Sequence, residues 1–254
     1  MNPLVQFIEA ARFLTRAPLP STGQKTFNLS EAFVMFPVVG AVIGAFTGLV
    51  LWLATAIGLP SFLAAIIAVG WTIIFTGALH EDGLADVADG FGGGKTRDQK
   101  LKIMRDSHLG SYGVLGLVLA IAARLWILAA VADQLPLHMV VLVLIASAAL
   151  SRAAMVGIVS HLPPARSDGL AASLSPSPAN TMLTYAVALA ILFAALLPAM
   201  TALSAAIVVI TAVVATALFA ALALRQIGGQ TGDVAGAAQQ IAEISCLMAV
   251  VALI

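Results

Sequence analysis

The sequence predicts an all-α polytopic membrane protein with about seven transmembrane helices and an N-terminal interfacial helix. Three observations support this class: 61% of the 254 residues are hydrophobic, only 9% are charged, and several uncharged runs are long enough to cross a bilayer. Soluble domains carry about 25% charged residues, so this chain lacks the polar side chains that would cover a water-facing surface. Residues 1–254 are predicted to form a single integral-membrane domain.

The N-terminal segment, residues 1–30, is predicted to lie at the membrane interface. Within "NPLVQFIEAARFLTR" the apolar residues recur at helical spacing and form one face. An amphipathic helix of this kind lies in the plane of the membrane surface. Acidic and basic residues precede the first long apolar run, which argues against a signal peptide.

Seven spans follow from the uncharged runs and from the Gly and Pro residues that interrupt them. Because a helix needs about 20 residues to cross the hydrocarbon core, the uncharged run from Ala32 to His80 holds two spans, divided at "IGLP". The stretch "GLAASLSPSPAN" from Gly169 is predicted to be a loop. The predicted spans are residues 32–57, 60–79, 112–132, 137–160, 181–198, 202–224 and 233–254.

Basic residues occur on only one side of this arrangement. Seven spans place the N-terminus and the loops 80–111, 161–180 and 225–232 on the same side of the membrane. The ten basic residues on that side are Arg12, Arg16, Lys25, Lys95, Arg97, Lys100, Lys102, Arg105, Arg166 and Arg225. The opposite loops carry none, so the positive-inside rule predicts a cytoplasmic N-terminus and cytoplasmic polar loops. The net charge of zero neither supports nor excludes nucleic-acid binding, and no nucleic-acid partner is predicted.

The loop 80–111 opens with a cluster of carboxylates, "HEDGLADVADG". On a helix, Asp82, Asp86 and Asp89 fall within about 60° of one another, whereas Glu81 points elsewhere. Like charges at this spacing weaken a helix, and Mg²⁺ compensates for them because it takes carboxylate and phosphate oxygens. The alternative is a solvated helix end whose acids pair with nearby basic residues. The position at the membrane face favours the metal site.

The next stretch, "GFGGGKT", resembles a phosphate-binding P-loop but lacks its spacing. Three residues rather than four separate Gly90 from Gly94, and the stretch follows a helix rather than a strand. We interpret it as a flexible hinge that carries Lys95 and Arg97 near phosphate. The basic and small residues of "LKIMRDSHLGSYG" suggest further anion contacts beside the acidic site, although a positive-inside flank without a ligand explains several of them.

A second anion site is predicted at "GGQTGD", which precedes the last span. A helix N-terminus presents free N–H groups to an anion. Thr231 is predicted to be the N-cap or a phosphate contact, and Asp233 to cap the helix or share the metal. An ordinary helix start explains the same residues.

Charged residues inside the spans are candidates for function. Arg152 lies about two turns from the predicted cytoplasmic end of its span, where it either binds an anion or snorkels to the surface. Arg124 and Glu243 lie deeper. Two ion pairs are open, Arg124–Glu243 and Arg152–Glu243.

Five motifs in this order resemble the cobalamin synthase family, the adenosylcobinamide-GDP ribazoletransferases. They are "FLTRAPLP" at Phe13, "HEDGLADVADGFGG" with the following "RDQKLKIMRDSHLGSYGV", "SRAAMV" at Ser151, "PPARSDGL" at Pro163 and "GGQTGDVAGA" at Gly228. The resemblance covers nearly the whole chain. Glu81 is not carried over as a metal ligand.

The resemblance implies a transferase that joins adenosylcobinamide-GDP to α-ribazole or its 5′-phosphate and releases GMP, in the last stage of vitamin B12 biosynthesis. It implies a Mg²⁺ requirement and a multi-pass location in the cytoplasmic (inner) membrane of a prokaryote. A homo-oligomer or a complex with other enzymes of the pathway is left open.

The predicted site residues fall into three groups. The metal ligands are Asp82, Asp86 and Asp89. The catalytic residues are these three together with Asp106 and His108, which are candidates for activating the ribazole hydroxyl. The predicted substrate-binding residues are His80, Lys95, Arg97, Arg105, Ser107, Arg152, Arg166, Gly229, Thr231, Gly232 and Asp233.

Three other classes fit less well. A CDP-alcohol phosphotransferase places Ala-Arg after a D-x-x-D-G element, whereas here the Asp–Gly pair comes first, at Asp82, and no Ala-Arg follows Asp86. A membrane prenyltransferase would carry two Asp-rich motifs on separate helices. A divalent-cation transporter keeps its ionisable residues near the bilayer midplane, whereas these carboxylates are predicted at the cytoplasmic face.

Overall fold

The computed structural model describes residues 2–23 and 28–254. Lys25, one of the ten basic residues counted above, lies outside these ranges. The described chain forms eleven α-helices and no extended strand, which confirms the predicted all-α class. In chain order the helices are α1 (Pro3–Leu14), α2 (Phe36–Ala56), α3 (Ser61–Thr76), α4 (Leu79–Gly93), α5 (Arg97–Ile103), α6 (Ser111–Gln134), α7 (Leu137–His161), α8 (Leu170–Ser173), α9 (Pro178–Leu196), α10 (Ala202–Ile227) and α11 (Gly232–Leu253).

Six helical segments within the described residues are long and apolar enough to cross a membrane, and a bent pair of helices raises the number to seven. They are α6, α7, α9, α10, α11 and the stretch Leu29–Ala56, in which a 3₁₀ turn leads into α2. The predicted boundaries of these six agree with the structure to within a few residues. The predicted loop from Gly169 is shorter than expected, because Pro178 already begins α9 and α8 lies before it.

The second predicted span, residues 60–79, is shorter than predicted and ends in a sharp bend. α3 ends at Thr76, and α4 leaves it at an angle of 89°. Gly77 and Ala78 between them have φ values of 65° and 57°, and this left-handed pair turns the chain sharply. The polar stretch 80–111 is therefore mostly helical, and the acidic cluster lies on a helix as its angular spacing requires.

Glycines bring α4 into backbone contact with α11. A Cβ at Gly83 would lie 2.8 Å from the carbonyl oxygen of Asp233, and one at Gly236 would lie 3.5 Å from the Cα of His80. Small residues let membrane helices approach closely. This crossing places the carboxylates of α4 beside the N-terminus of α11.

The helices α7 and α11 form the centre of the bundle. In each, 72% of the most apolar 18-residue stretch is buried, compared with 22% in α10. The outer helices expose large apolar side chains such as Trp126 and Leu218, as a lipid-facing surface requires. Both central helices begin or end at the segments that build the candidate site.

Candidate metal and phosphate site

The three aspartates of α4 have different environments. Asp82 is exposed, Asp86 is half-buried and Asp89 is buried. Within residues 2–23 and 28–254, no hydrogen bond or ion pair engages the carboxylate of Asp82 or Asp86. These two side chains keep their oxygens free for a cation.

Asp89 is committed to the protein itself. Its two carboxylate oxygens accept hydrogen bonds from the backbone N–H groups of Gly110, at 2.7 Å, and Gly113, at 2.8 Å. A Cβ at either glycine would collide with this carboxylate, which explains the Gly spacing before α6. A carboxylate at a helix N-terminus is favoured by the helix dipole and by charge-assisted hydrogen bonds. Asp89 thus ties α4 to the start of α6, and its predicted role as a metal ligand remains untested.

A further carboxylate reaches the site from the N-terminus of α11. The Oγ1 of Thr231 accepts a hydrogen bond from the N–H of Val234, which confirms Thr231 as the N-cap. Its hydroxyl donates to the Oδ2 of Asp233 at 3.1 Å. Asp233 lies close enough to Asp82 and Asp86 for their negative charges to interact. Acidic residues about 150 positions apart in sequence therefore converge.

Backbone pairing holds Arg166 beside this helix N-terminus. The N–H of Gln230 donates to the carbonyl of Pro163, and the N–H of Ala165 donates to the carbonyl of Gln230, both at 2.8 Å. Gly229 is required here, because a Cβ would overlap the Pro163 carbonyl. The pairing brings Nη2 of Arg166 to 3.7 Å from the Asp233 carboxylate. It joins the predicted "PPAR" and "GGQTGD" segments into one structure.

Two cavities open on this structure and share Arg166 and Asp168 in their walls. One, of about 220 Å³, lies between α8 and the N-terminus of α11 and is also lined by Gln230 and Asp233. The other is a wider groove of about 470 Å³ along α5. Its basic side chains are Arg97, Lys102, Arg105 and Arg166.

The predicted basic residues of 95–105 have unequal roles in the structure. The guanidinium of Arg97 donates to the carbonyls of Ile227, at 2.8 Å, and Ala165, so it fastens α5 to neighbouring loops. Arg105 pairs with Asp168 at the surface. Lys95 and Ser107 are exposed, without a side-chain hydrogen bond in the described part of the chain.

The predicted Gly-rich hinge is not a hinge. Gly90 and Gly92 lie within α4, and a Cβ at either would overlap the side chain of Met104 or Tyr112. These glycines let α4 pack closely against Met104, which follows α5, and against Tyr112 in the first turn of α6. Close packing and flexibility both favour residues without a side chain, so the sequence alone does not distinguish them.

Asp106 and His108 form a pair on the loop between α5 and α6. The Nδ1 of His108 lies 2.6 Å from the Oδ1 of Asp106, and its backbone N–H donates to the same oxygen at 3.0 Å. Hydrogen bonds from His108 hold the pKa of Asp106 below its ordinary value. The ring of His108 is 91% exposed, and the loop continues to Gly110, which contacts Asp89.

A buried ionic network lies behind the site. Arg124 contacts Glu81 at 2.7 Å and Glu243 at 3.6 Å, and Arg152 contacts Glu243 at 2.8 Å. Both ion pairs left open by the sequence are therefore confirmed. Arg152 is 1% exposed, so it does not snorkel, and the structure places it away from the two cavities. Glu81 was not predicted as a partner of Arg124, although its different angle on the helix was the available signal.

His80 also lies inside the bundle rather than in a cavity of the site. It is 1% exposed, and its Nε2 has no hydrogen-bond partner among the described residues. The arginines of the ionic network are near enough for their charges to act on it. His80 therefore lies inside the bundle, behind the carboxylates of Asp82 and Asp86.

The chain matches known proteins over nearly its full length. The model of the cobalamin-5-phosphate synthase family matches residues 6–251. The adenosylcobinamide-GDP ribazoletransferase of Azorhizobium caulinodans is 43% identical over 246 residues, which cover 95% of this chain and 93% of the relative. That of Bradyrhizobium diazoefficiens is 42% identical over 249 residues, covering 97% and 93%. No solved structure matches the chain.

Proposed function

The chain belongs to the cobalamin-5-phosphate synthase family, and on that premise we propose that it joins adenosylcobinamide-GDP to α-ribazole or its 5′-phosphate. One observation carries the assignment of the site: carboxylates from α4 and α11 converge beside Arg166 at the N-terminus of α11. Phosphoryl transfer depends on positioning and charge stabilisation, and this convergence supplies both.

In the proposed reaction an alcohol oxygen of α-ribazole attacks the phosphorus that carries the cobinamide ester. A P–O bond forms there as the bridging P–O bond to GMP breaks. GMP leaves with the electron pair, and the alcohol proton passes to a base. Arg166 is suited to the charge that develops on the phosphoryl oxygens, because a guanidinium binds such oxygens through two parallel hydrogen bonds.

The residues present fit a magnesium ion. Asp82 and Asp86 offer hard oxygen ligands with no other partner in the described residues, and Asp233 adds a third carboxylate nearby. No compact set of three or more His, Cys, Asp and Glu ligands occurs in residues 2–23 and 28–254. A magnesium ion at this place would therefore need waters and substrate phosphates as its further ligands, which Mg²⁺ takes readily. When bound, Mg²⁺ neutralises charge on the pyrophosphate and stabilises the leaving phosphate.

We assign the base to the Asp106–His108 pair. A carboxylate that accepts a hydrogen bond from one ring nitrogen orients a histidine and leaves the other nitrogen for proton transfer. The pair lies 2.6 Å apart on the loop that Asp89 fastens to α4. Because the His108 ring is exposed, its free nitrogen is accessible to the acceptor alcohol of a bound substrate.

We place the site at the cytoplasmic face of the inner membrane of a prokaryote. The support is the distribution of basic residues, ten on the side of the site and none on the other. The same distribution puts the cationic groove where GDP-activated substrates are found.

The decisive experiment is turnover by the purified protein in detergent, with adenosylcobinamide-GDP, α-ribazole and Mg²⁺. We expect release of GMP in equal amount to the corrinoid product, abolished by EDTA and restored by Mg²⁺. Product formation that persists unchanged in EDTA would remove the metal from the proposal. No product under any condition would remove the transfer reaction itself.

A further inference from the structure

The two cavities that meet at Arg166 differ in size and charge. The groove along α5 measures about 470 Å³, and its walls carry four basic side chains, those of Arg97, Lys102, Arg105 and Arg166, against the two acidic ones of Asp98 and Asp168. The cavity beside α8 measures about 220 Å³ and carries Gln230, Thr231 and Asp233. Complete ligands of drug size occupy about 300–1,000 Å³, so the smaller cavity fits only part of a nucleotide.

In-line phosphoryl transfer requires two subsites that adjoin one another. The attacking and leaving oxygens lie on opposite sides of the phosphorus, so an enzyme needs two subsites that meet at the group that binds the phosphate. Arg166 and Asp168 are the residues that both cavities share. Arg166 also contacts Asp233, at 3.7 Å, so the carboxylates lie at the same junction.

Resting on the proposed function, we propose that the nucleotide half of the donor binds in the groove and that the acceptor sugar binds in the smaller cavity, with Arg166 at the phosphorus between them. The groove suits a group that leaves as a phosphate monoester, because its basic side chains outnumber the acidic ones and Lys102 has no partner among the described residues. The smaller cavity suits a hydroxylated ring, because its walls combine hydrogen-bond donors and acceptors.

Two buried polar atoms support the assignment of the smaller cavity. Nη1 of Arg166 and Oε1 of Gln230 have no hydrogen-bond partner among the described residues. A buried polar atom without a partner costs roughly 1–3 kcal/mol. Nε2 of Gln230 donates to the carbonyl of Ala171, which leaves Oε1 as the unused acceptor of that amide in the cavity wall. Arg166 provides an unused donor in the same wall, so the pair matches the acceptor and donor of a sugar hydroxyl.

The test separates the two subsites by the substrate whose KM changes. Ala172 lines the smaller cavity and not the groove, whereas Lys102 lines the groove and not the cavity. We expect Ala172→Leu to raise KM for α-ribazole about tenfold, because its added side chain fills sugar space, and to leave KM for adenosylcobinamide-GDP unchanged. Lys102→Ala should raise KM for adenosylcobinamide-GDP and leave KM for α-ribazole unchanged. It should also weaken inhibition by GMP.

Binding of GMP to the two variants, measured by displacement of a fluorescent GMP analogue, gives a second measurement that needs no turnover. Adenosylcobinamide-GDP should displace the analogue and α-ribazole should not, and Ala172→Leu should leave the dissociation constant of GMP unchanged. The reverse pattern, with Ala172→Leu impairing GMP binding, would overturn the assignment, as would two variants that change neither KM. Because wild-type turnover is measured in the same series, failure of the subsites is distinguished from failure of the proposed reaction.

Discussion

The carboxylate of Glu81 lies 2.7 Å from the guanidinium of Arg124, and both side chains are buried in the bundle. Glu81 immediately precedes Asp82, so the pair fixes the inner face of α4 while the outer face presents the free carboxylates. Arg124 also reaches Glu243, which binds Arg152, and two acids are thereby balanced by two bases. A balanced network of this kind avoids leaving a charge unpaired in the membrane.

Removing one member of the network should cost more than removing a balanced pair. We expect Glu243→Gln to destabilise the protein by about 3–5 kcal/mol, because it leaves two arginines with one carboxylate. Glu81→Gln together with Arg124→Gln keeps the charges equal and should cost less. Thermal unfolding in detergent measures both. Equal losses in the two variants would contradict charge balance as the reason.

The free carboxylates of α4 should be needed for metal-dependent turnover. We expect Asp82→Asn and Asp86→Asn each to lower kcat at least about 100-fold, since even residues that only support a metal ligand contribute 10–100-fold. Asp133→Asn is the matched control, because Asp133 contacts Ser61 at the other end of α6 and lies outside the site. Near-normal turnover in either site variant would remove that residue from the metal site.

Asp89 should behave differently from its two neighbours. Asn at this position keeps one acceptor oxygen and turns an NH₂ group toward a backbone N–H, so we expect a stability loss of about 1–3 kcal/mol. The Mg²⁺ concentration for half-maximal turnover should stay close to that of the wild type. A tenfold rise in that concentration without loss of stability would instead identify Asp89 as a metal ligand, as its position on the helix predicts.

His108 should control the proton step. We expect His108→Ala to lower kcat by about 10²–10⁴-fold with little change in either KM, because a general base acts in the transition state. Since the pKa of Asp106 is lowered, its carboxylate stays ionised as the pH falls through its ordinary range. The acid limb of the pH–rate profile should therefore vanish in His108→Ala and survive in Asp106→Asn. An unchanged profile in His108→Ala would place the base elsewhere.

The sequence predicted the membrane-spanning helices better than it predicted the roles of individual residues. Uncharged length determines where a helix crosses a membrane, so six spans were located closely. The bend at Gly77 was missed because a left-handed pair leaves no periodic signal. The glycines of 90–94 were misread because their partners, Met104 and Tyr112, become neighbours only after folding. For the same reason, no pattern indicated that Asp89 would cap α6.

Arg97 illustrates the difference between a basic residue that binds substrate and one that fastens loops. Its guanidinium donates to the carbonyls of Ile227 and Ala165, and a lysine, whose ammonium group lacks the planar fork, cannot match both. We expect Arg97→Lys to lower the unfolding temperature and to lower kcat by loosening Arg166, while KM for adenosylcobinamide-GDP changes little. Lys102→Ala, on the same groove, serves as the comparison, since it should raise that KM without lowering the unfolding temperature. A raised KM with unchanged stability in Arg97→Lys would return Arg97 to the substrate-binding residues.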